Sequence, residues 1–441
     1  MPATAALPPE PLVLSALDAL WVTLPLIQRV LIFVDGDGGR RATPPFASVV
    51  AALRASLAET LARFPTLGGR IVHLPATGDA AIDCRTHGGG GVRFVVAEVD
   101  DADAGRLAGD DDHDADAFRR LVPELDAGEL PAEAMAAQVT RLRGGWAIGV
   151  AMHHAVVDGR SVWRFLQAWA AACRGEGDAD LAAAPPPAFD RAAIKLPGGS
   201  EELARTVLRK YAPDLPKAAV AGFLIRPNLS RRTFTITPQQ IHRLKQRIIA
   251  CNLSPSSFVA VVALAWASFV HAKHHPAAGT TSISPSDEVH LFFFADCRSR
   301  LSPPPGDGYF GTCISGCLAT LRAEDILLGD GVAHAAAAVA AEVRRAEEEP
   351  AAGWEWMETV TTRADMDRLV NVAGSTRFPA YQATDFGWGP PARTELVTMN
   401  HDGQVVLVAG KDGGGGVQAS VSLHPAHMDA YKAHFLSYLQ G

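Results

Sequence analysis

No excess of positive charge marks this chain: 40 Lys and Arg stand against 48 Asp and Glu, a formal net charge of −8. A nucleic-acid binder would carry a basic face, so that class is not expected. Cysteine is scarce, six in 441 residues (Cys84, Cys173, Cys251, Cys297, Cys313, Cys317), with no C-x-x-C pair and no His/Cys pair at zinc spacing beside Cys313 and Cys317. A disulfide framework or zinc site is therefore not expected, and the six read as reduced core thiols. The N-terminal residues lack a cationic segment ahead of an apolar one, so no secretory signal is expected. The longest apolar run, near 332–343, is Ala-rich and broken by His334 and Glu342, too weakly apolar for a membrane span. These absences point to the cytoplasm and to no membrane, nucleic-acid or metal partner.

What is present is an ordinary globular composition, 48% hydrophobic and 20% charged, over a length that suits two or three domains. The stretch 182–199, AAAPPPAFDRAAIKLPGG, holds three consecutive prolines and a glycine pair. It cannot carry a regular ladder and reads as a crossover linker between an N-terminal domain at 1–181 and a C-terminal domain at 200–441. In the first half, residues 49–64 place apolar side chains at helical spacing and stop before Pro65, while 146–152 alternate, with Trp146, Ile148, Val150 and Met152 on one strand face. After Gly159 the period switches, and Val162, Phe165, Leu166 and Trp169 mark an amphipathic helix. In the second half, 238–250, 256–272 and 331–348 read as helices, and 289–294, 405–408 and 417–423 as strands. The class is mixed α/β. The acidic run Asp110-Asp111-Asp112-His113-Asp114 lacks the order of a calcium loop and reads as a solvated loop.

The sharpest local signal is Met152-His153-His154-Ala155-Val156-Val157-Asp158-Gly159. Two histidines end a buried strand, and a glycine frees the backbone to turn. Continued alternation puts His154 on the face of Trp146 and Met152. A histidine held at a strand end, with an ordinary pKa near 6.5, suits proton abstraction at neutral pH. A second signal is Asp385-Phe386-Gly387-Trp388-Gly389-Pro390, two aromatics between glycines. Alone, it reads equally as a tight turn with core aromatics.

In this order, about 230 residues apart, the two motifs resemble the signature of the BAHD acyltransferases, plant enzymes related in fold to chloramphenicol acetyltransferase. His154 through Gly159 matches H-x-x-x-D-G, and Asp385 through Gly389 matches D-F-G-W-G without substitution. Leu20-Trp21 with Gln28-Arg29, Phe64-Pro65 with Gly68-Gly69, and Asp296-Cys297-Arg298-Ser299-Arg300-Leu301 extend the likeness over nearly the whole chain. The resemblance implies two domains, each a mixed sheet with flanking helices, and a channel between them where acyl-CoA meets an acceptor. Coenzyme A would be a cosubstrate, with no permanent cofactor, and the chain a monomer.

It also implies site residues. His154, Asp158 and Asp385 form the signature set: His154 is the general base, Asp158 is turned away into a salt bridge with Arg298, and Asp385 holds the fold. Gly159 and Gly387 are structural. Trp388 is placed near the reacting centre as a possible oxyanion donor. Coenzyme A is expected near Ser256 and Ser257 at a helix start, and near Ser375 and Thr376. Tyr309-Phe310-Gly311-Thr312-Cys313 is close to the Y-F-G-N-C of members that acylate flavonoid and anthocyanin glucosides, commonly with malonyl-CoA; Thr312 replaces Asn. A malonyl carboxylate needs a cation. Arg160 is the expected one, with Arg29 and Arg377 as alternatives. Hydroxycinnamoyl transfer to a glucoside, alcohol or amine is the second enzymatic reading, and a non-catalytic small-molecule binder the one outside enzymes.

Two other signals carry little. Gly306-Asp307-Gly308-Tyr309-Phe310-Gly311 fits G-x-G-x-x-G, yet it follows three prolines and opens no helix, so no dinucleotide fingerprint is expected. The glycine runs 88–91 and 413–416 read as hairpin turns. No G-x-S-x-G occurs, so a serine hydrolase would lack its nucleophile elbow.

Overall fold

The computed structural model describes residues 7–36, 44–85, 91–109, 111–176, 185–220, 226–249, 253–277 and 279–440. The alternating stretch near Trp146 forms the strand Gly145–Met152, buried along its whole length. It is central in a five-stranded mixed sheet of order Arg393–Leu396, Ile27–Val34, Gly145–Met152, Met135–Arg143, Arg93–Asp103. One face sends Trp146, Ile148, Val150 and Met152 into a core shared with the helices Phe46–Leu61 and Gly159–Cys173. The other face packs Val30, Ile32 and Ala147 against the short helices Ala104–Gly109 and Ala115–Arg120. A second, antiparallel sheet of Leu12–Val13, Asp79–Asp83, Arg70–Leu74 and Ala132–Glu133 also belongs to this half, where one sheet was expected.

The second half is built on a six-stranded mixed sheet of order Ile314–Arg322, Glu288–Asp296, Leu369–Gly374, Gln404–Ala409, Val417–Leu423, Ser230–Ile236. Its central helix, Ser257–His274, is apolar on nearly every side and packs against Gly331–Glu348 and Pro425–Gln440. By length and composition this helix could cross a membrane, but 78% of it is buried inside the protein. A helix apolar all round that other elements enclose is a core helix.

The boundary at 199/200 does not separate the sheets. Arg393–Leu396 returns to pair antiparallel with Ile27–Val34 and covers what would be its open edge. The helix Ser200–Tyr211 packs Ala204, Val207 and Leu208 into the first core. The two halves are thus laced together, not linked by one loop.

The run 413–416 is a hairpin turn between antiparallel strands, with positive φ at Gly413, Gly414 and Gly415. Of the run 88–91, residues 88–90 lie outside the described residues, as do Asp110 and Cys251. The described part of the acidic run is a loop with Asp111 and Asp112 exposed, but it is tied down. Asp112 pairs with Arg232, the His113 amide donates to the Arg231 carbonyl at 2.9 Å, and Asp114 caps the helix Ala115–Arg120. No group of three His, Cys, Asp or Glu among the described residues could hold a metal.

Candidate active site

His154 stands in the turn just after Gly145–Met152, where the sheet ends and the helix Gly159–Cys173 has not begun. The Trp21 ring lies parallel to it at 3.5 Å, an 8° stack that fixes the imidazole plane. Phe294 and Trp356, from the second half, continue this aromatic wall at 5.4 and 5.0 Å from Trp21. The His154 ring makes no hydrogen bond to another described residue, and its Nδ1 is enclosed. Its own backbone carbonyl favours the protonated ring, against the effect of burial. His153 is fully buried, and its Nδ1 accepts from the Ala155 amide at 3.2 Å.

Asp158 is turned away from that ring. Its carboxylate caps the following helix through the Ser161 amide (3.0 Å), accepts from the Cys313 amide (3.2 Å) and pairs with Arg298 at 2.7 Å. The ion pair expected between Asp158 and Arg298 is therefore made, fully buried, and Arg298 also donates to the Gly311 carbonyl at 2.7 Å. The Tyr309-to-Cys313 segment cradles the His154 turn from the other half. Thr312 Oγ1 donates to the His154 carbonyl at 2.8 Å, and the Thr312 amide donates to Asp18 at 3.1 Å. Thr312 thus still supplies a side-chain donor where the family pattern has Asn.

Arg191 of the crossover loop adds bonds to the Phe310 and Val156 carbonyls at 2.6 and 3.1 Å. It lies so close to Gly311 that a Cβ there would meet Arg191 Nη1 at 1.8 Å. Sequence reasoning missed Arg191, Asp18 and the stacking role of Trp21. An Arg within the Pro-rich stretch was the one sequence signal for the first.

The D-F-G-W-G turn is elsewhere. Asp385 accepts from the amides of Gly387 (2.7 Å) and Gly389 (2.9 Å), and its carbonyl receives Arg174 at the far end of the helix Gly159–Cys173. Gly387 and Gly389 both have positive φ, so glycine is required for the turn. Phe386 packs edge-on against Trp169, and Trp388 edge-on against Trp146. Fifteen helical residues span about 22 Å, and Trp146 lies about 20 Å along its strand from Met152. Neither Asp385 nor Trp388 is placed to touch reacting atoms. Asp385 clamps a helix end, and the expected oxyanion role of Trp388 is corrected to core packing. A cleft of about 760 Å³ lined by Glu98, Arg141 and Trp146 also opens at that far end, away from His154.

Arg160 is corrected as well. Its guanidinium pairs with Asp296 at 2.9 Å, so no unpaired cation stands there. Arg377 is exposed, its amide donating to Ser375 Oγ at 3.2 Å. Thr376 sits two residues before Phe378, whose ring would lie 3.0 Å from a Cβ on Gly159. This brings the loop of Ser375 and Thr376 against the catalytic turn. Ser256 is the N-cap of Ser257–His274, accepting from the Val259 amide at 3.2 Å. No contact joins Ser256 or Ser257 to His154.

Burial is the main force on the buried histidines. It pushes His154 down to about 4, against the pull of its carbonyl and Asp158, His153 to about 3, and His113 to about 4. His154 is therefore neutral at pH 7, and the acid limb of kcat/KM is expected near pH 4. A limb near 6.5 in initial-rate profiles would show a solvated ring. Stability follows the same sign: folded pKa values below 6.5 mean that the unfolded chain binds more protons between about pH 4 and 6.5. Stability is full above 6.5 and lost as pH falls through that window, with a slope of about 1.4 kcal/mol per pH unit for each of His113 and His153. Melting curves taken from pH 7 to 4.5 check this.

The model of the Transferase family matches residues 2–437. A phenolic glucoside malonyltransferase 1 of Arabidopsis thaliana is 31% identical, covering 94% of this chain and 91% of the relative. A malonyl-CoA:anthocyanidin 5-O-glucoside-6''-O-malonyltransferase of the same plant is 30% identical, covering 96% and 93%. The crystal structure of vinorine synthase superposes with a TM-score of 0.75 at 20% identity, over 99% of this chain and 95% of that one, which shows the shared two-domain fold. The chain belongs to the Transferase family, the BAHD acyltransferases, and is an acyl-CoA-dependent acyltransferase that uses a coenzyme A thioester as cosubstrate with a small-molecule acceptor.

Proposed function

We propose that this enzyme transfers malonyl from malonyl-CoA to a sugar hydroxyl of a phenolic or flavonoid glucoside, with His154 as general base. The carrying observation is a whole-length likeness to two glucoside malonyltransferases. The interlocked turn agrees with it, since Thr312 keeps the donor to the His154 carbonyl. The packed rings of Trp21, Phe294 and Trp356 give the His154 end of the sheet an apolar lining, which suits a phenolic acceptor.

A thioester needs no covalent enzyme intermediate, because thiolate is already a good leaving group. His154 Nε2 takes the acceptor proton as the hydroxyl oxygen attacks the thioester carbonyl. The tetrahedral intermediate then collapses, the C–S bond breaks, and the proton passes from His154 to the departing sulfur. Asp158 has no part in these transfers; with Arg298 it holds the turn that carries the base.

Malonyl-CoA and coumaroyl-CoA competing for one phenolic glucoside, with free thiol and acylated product both followed, test the reading. Malonyl-glucoside is expected as the dominant product. A clear preference for coumaroyl-CoA would favour the hydroxycinnamoyl reading, and thiol release without acceptor would indicate hydrolysis. A chain that binds donors but turns over none would be a binder.

A further inference from the structure

A histidine that takes a proton at one ring nitrogen must present that nitrogen at a fixed angle. A carboxylate on the other nitrogen is a common way to hold the ring. His154 has no such holder: its Nδ1 is enclosed, with no hydrogen-bond partner among the described residues. Asp158 is the carboxylate that acts on it, but its oxygens are engaged by the Ser161 amide, the Cys313 amide and Arg298. What does meet the ring is Trp21, parallel to within 8° at 3.5 Å between ring centres. A stack of this kind fixes the ring plane, the rotation that a missing hydrogen bond leaves free.

Trp21 is itself firmly held. It is 8% exposed and stands in the turn after the helix Ala16–Ala19, its amide donating to the Asp18 carbonyl at 3.0 Å. Phe294 and Trp356 brace it from the second half. Gly316, opposite Phe294 on the next strand, makes room for that brace, since a Cβ there would meet Trp356 Cβ at 2.3 Å. Asp18 closes the arrangement. Fully buried, it accepts from Ser15 Oγ at 2.6 Å and from the Thr312 amide at 3.1 Å, and Arg191 Nε lies 3.6 Å away. Thr312 Oγ1 in turn donates to the His154 carbonyl at 2.8 Å. One residue of the second half therefore ties the turn that carries Trp21 to the turn that carries His154.

We infer that Trp21 is a positioning residue for the base: its indole face holds the His154 imidazole in the plane that acyl transfer needs, the task a carboxylate performs in a Ser-His-Asp triad. The inference rests on His154 being the base and names what orients it. The indole exchanges no proton with the substrate and acts through His154 alone. The joint of Asp18 and Thr312 sets the distance between the two rings. A reacting group misplaced by about 1 Å loses about 10²-fold in rate, so the stack is expected to matter on that scale.

The test measures kcat and both KM values, with a melting curve, for the wild type, Trp21→Phe, Trp21→Leu, His154→Ala and the double variant Trp21→Leu/His154→Ala. Trp21→Leu is expected to lose about 10²-fold in kcat per folded enzyme with both KM values little changed. Trp21→Phe keeps a face to stack and is expected to recover most of that loss. On the His154→Ala background, Trp21→Leu is expected to add nothing, because no base is left to position. A folded Trp21→Leu with normal kcat overturns the inference. A rise in acceptor KM alone makes Trp21 part of the acceptor surface and overturns it too. The same loss on both backgrounds, or folding only with an aromatic at position 21, makes Trp21 a structural ring, again overturning it. Near-normal turnover in folded His154→Ala removes the base itself, and the inference with it.

Discussion

His154→Ala lowers acyl transfer by a factor of about 10²–10⁴ and leaves the fold standing, the usual loss when a positioned general base is removed. The ring stands in the turn after the strand Gly145–Met152 and is only half-buried, and the bonds of its turn run through backbone and neighbours that the substitution leaves intact. Thr312 still reaches the residue 154 carbonyl, and Asp158 still caps its helix. What is lost structurally is the stack on Trp21, about 0.5–1.5 kcal/mol for an aromatic pair. Thiol release in the presence of donor and acceptor measures the first effect, and thermal melting the second. A well-folded variant with near-normal turnover removes His154 from the mechanism. A variant that melts far below the wild type shows instead that the ring is a structural element.

Asp158→Ala has its large effect on stability, about 3–5 kcal/mol, because it leaves the Arg298 guanidinium buried without its closest carboxylate. The helix Gly159–Cys173 loses its cap at the same time, a contribution of about 1 kcal/mol included in that range. Asp296, 3.1 Å from Arg298, softens the loss, though it is also drawn to Arg160. Activity is expected to fall in step with the folded fraction. Asp158→Asn separates the two contributions, keeping an acceptor for the Ser161 amide while removing the charge. An unchanged melting temperature with activity abolished would place Asp158 in the chemistry after all.

Both expectations could be framed before any fold was known, and the reasons differ. The strand of Trp146 to Met152 and the helix after Gly159 are legible because their periods, two and 3.6, lie within one stretch of chain. His154 falls at the join, so local pattern alone delivers it to a strand end. The same holds for the hairpin at 413–416 and the helix Gly331–Glu348. Arg160 shows the limit of that reasoning. It is the cation nearest to His154 in sequence, but Asp296, from the other half, takes it.

By itself the sequence determined the candidate base, the turn that presents it, the acyltransferase family and the mixed α/β class, because each is written in contiguous residues or in motifs matched position by position. Only the tertiary structure decided what those residues touch. It moved Asp385 and Trp388 to the far end of the helix, onto Arg174 and Trp146, and it brought Trp21, Thr312 and Arg191 around His154. It also returned Arg393–Leu396 to the first sheet and joined Arg29 to Thr394. The physical reason is common to all of these. Pairing of charges, stacking of rings and closure of a sheet edge join atoms from distant parts of the chain. The free energy of each depends on where the backbone brings them, which no local period or motif spacing encodes.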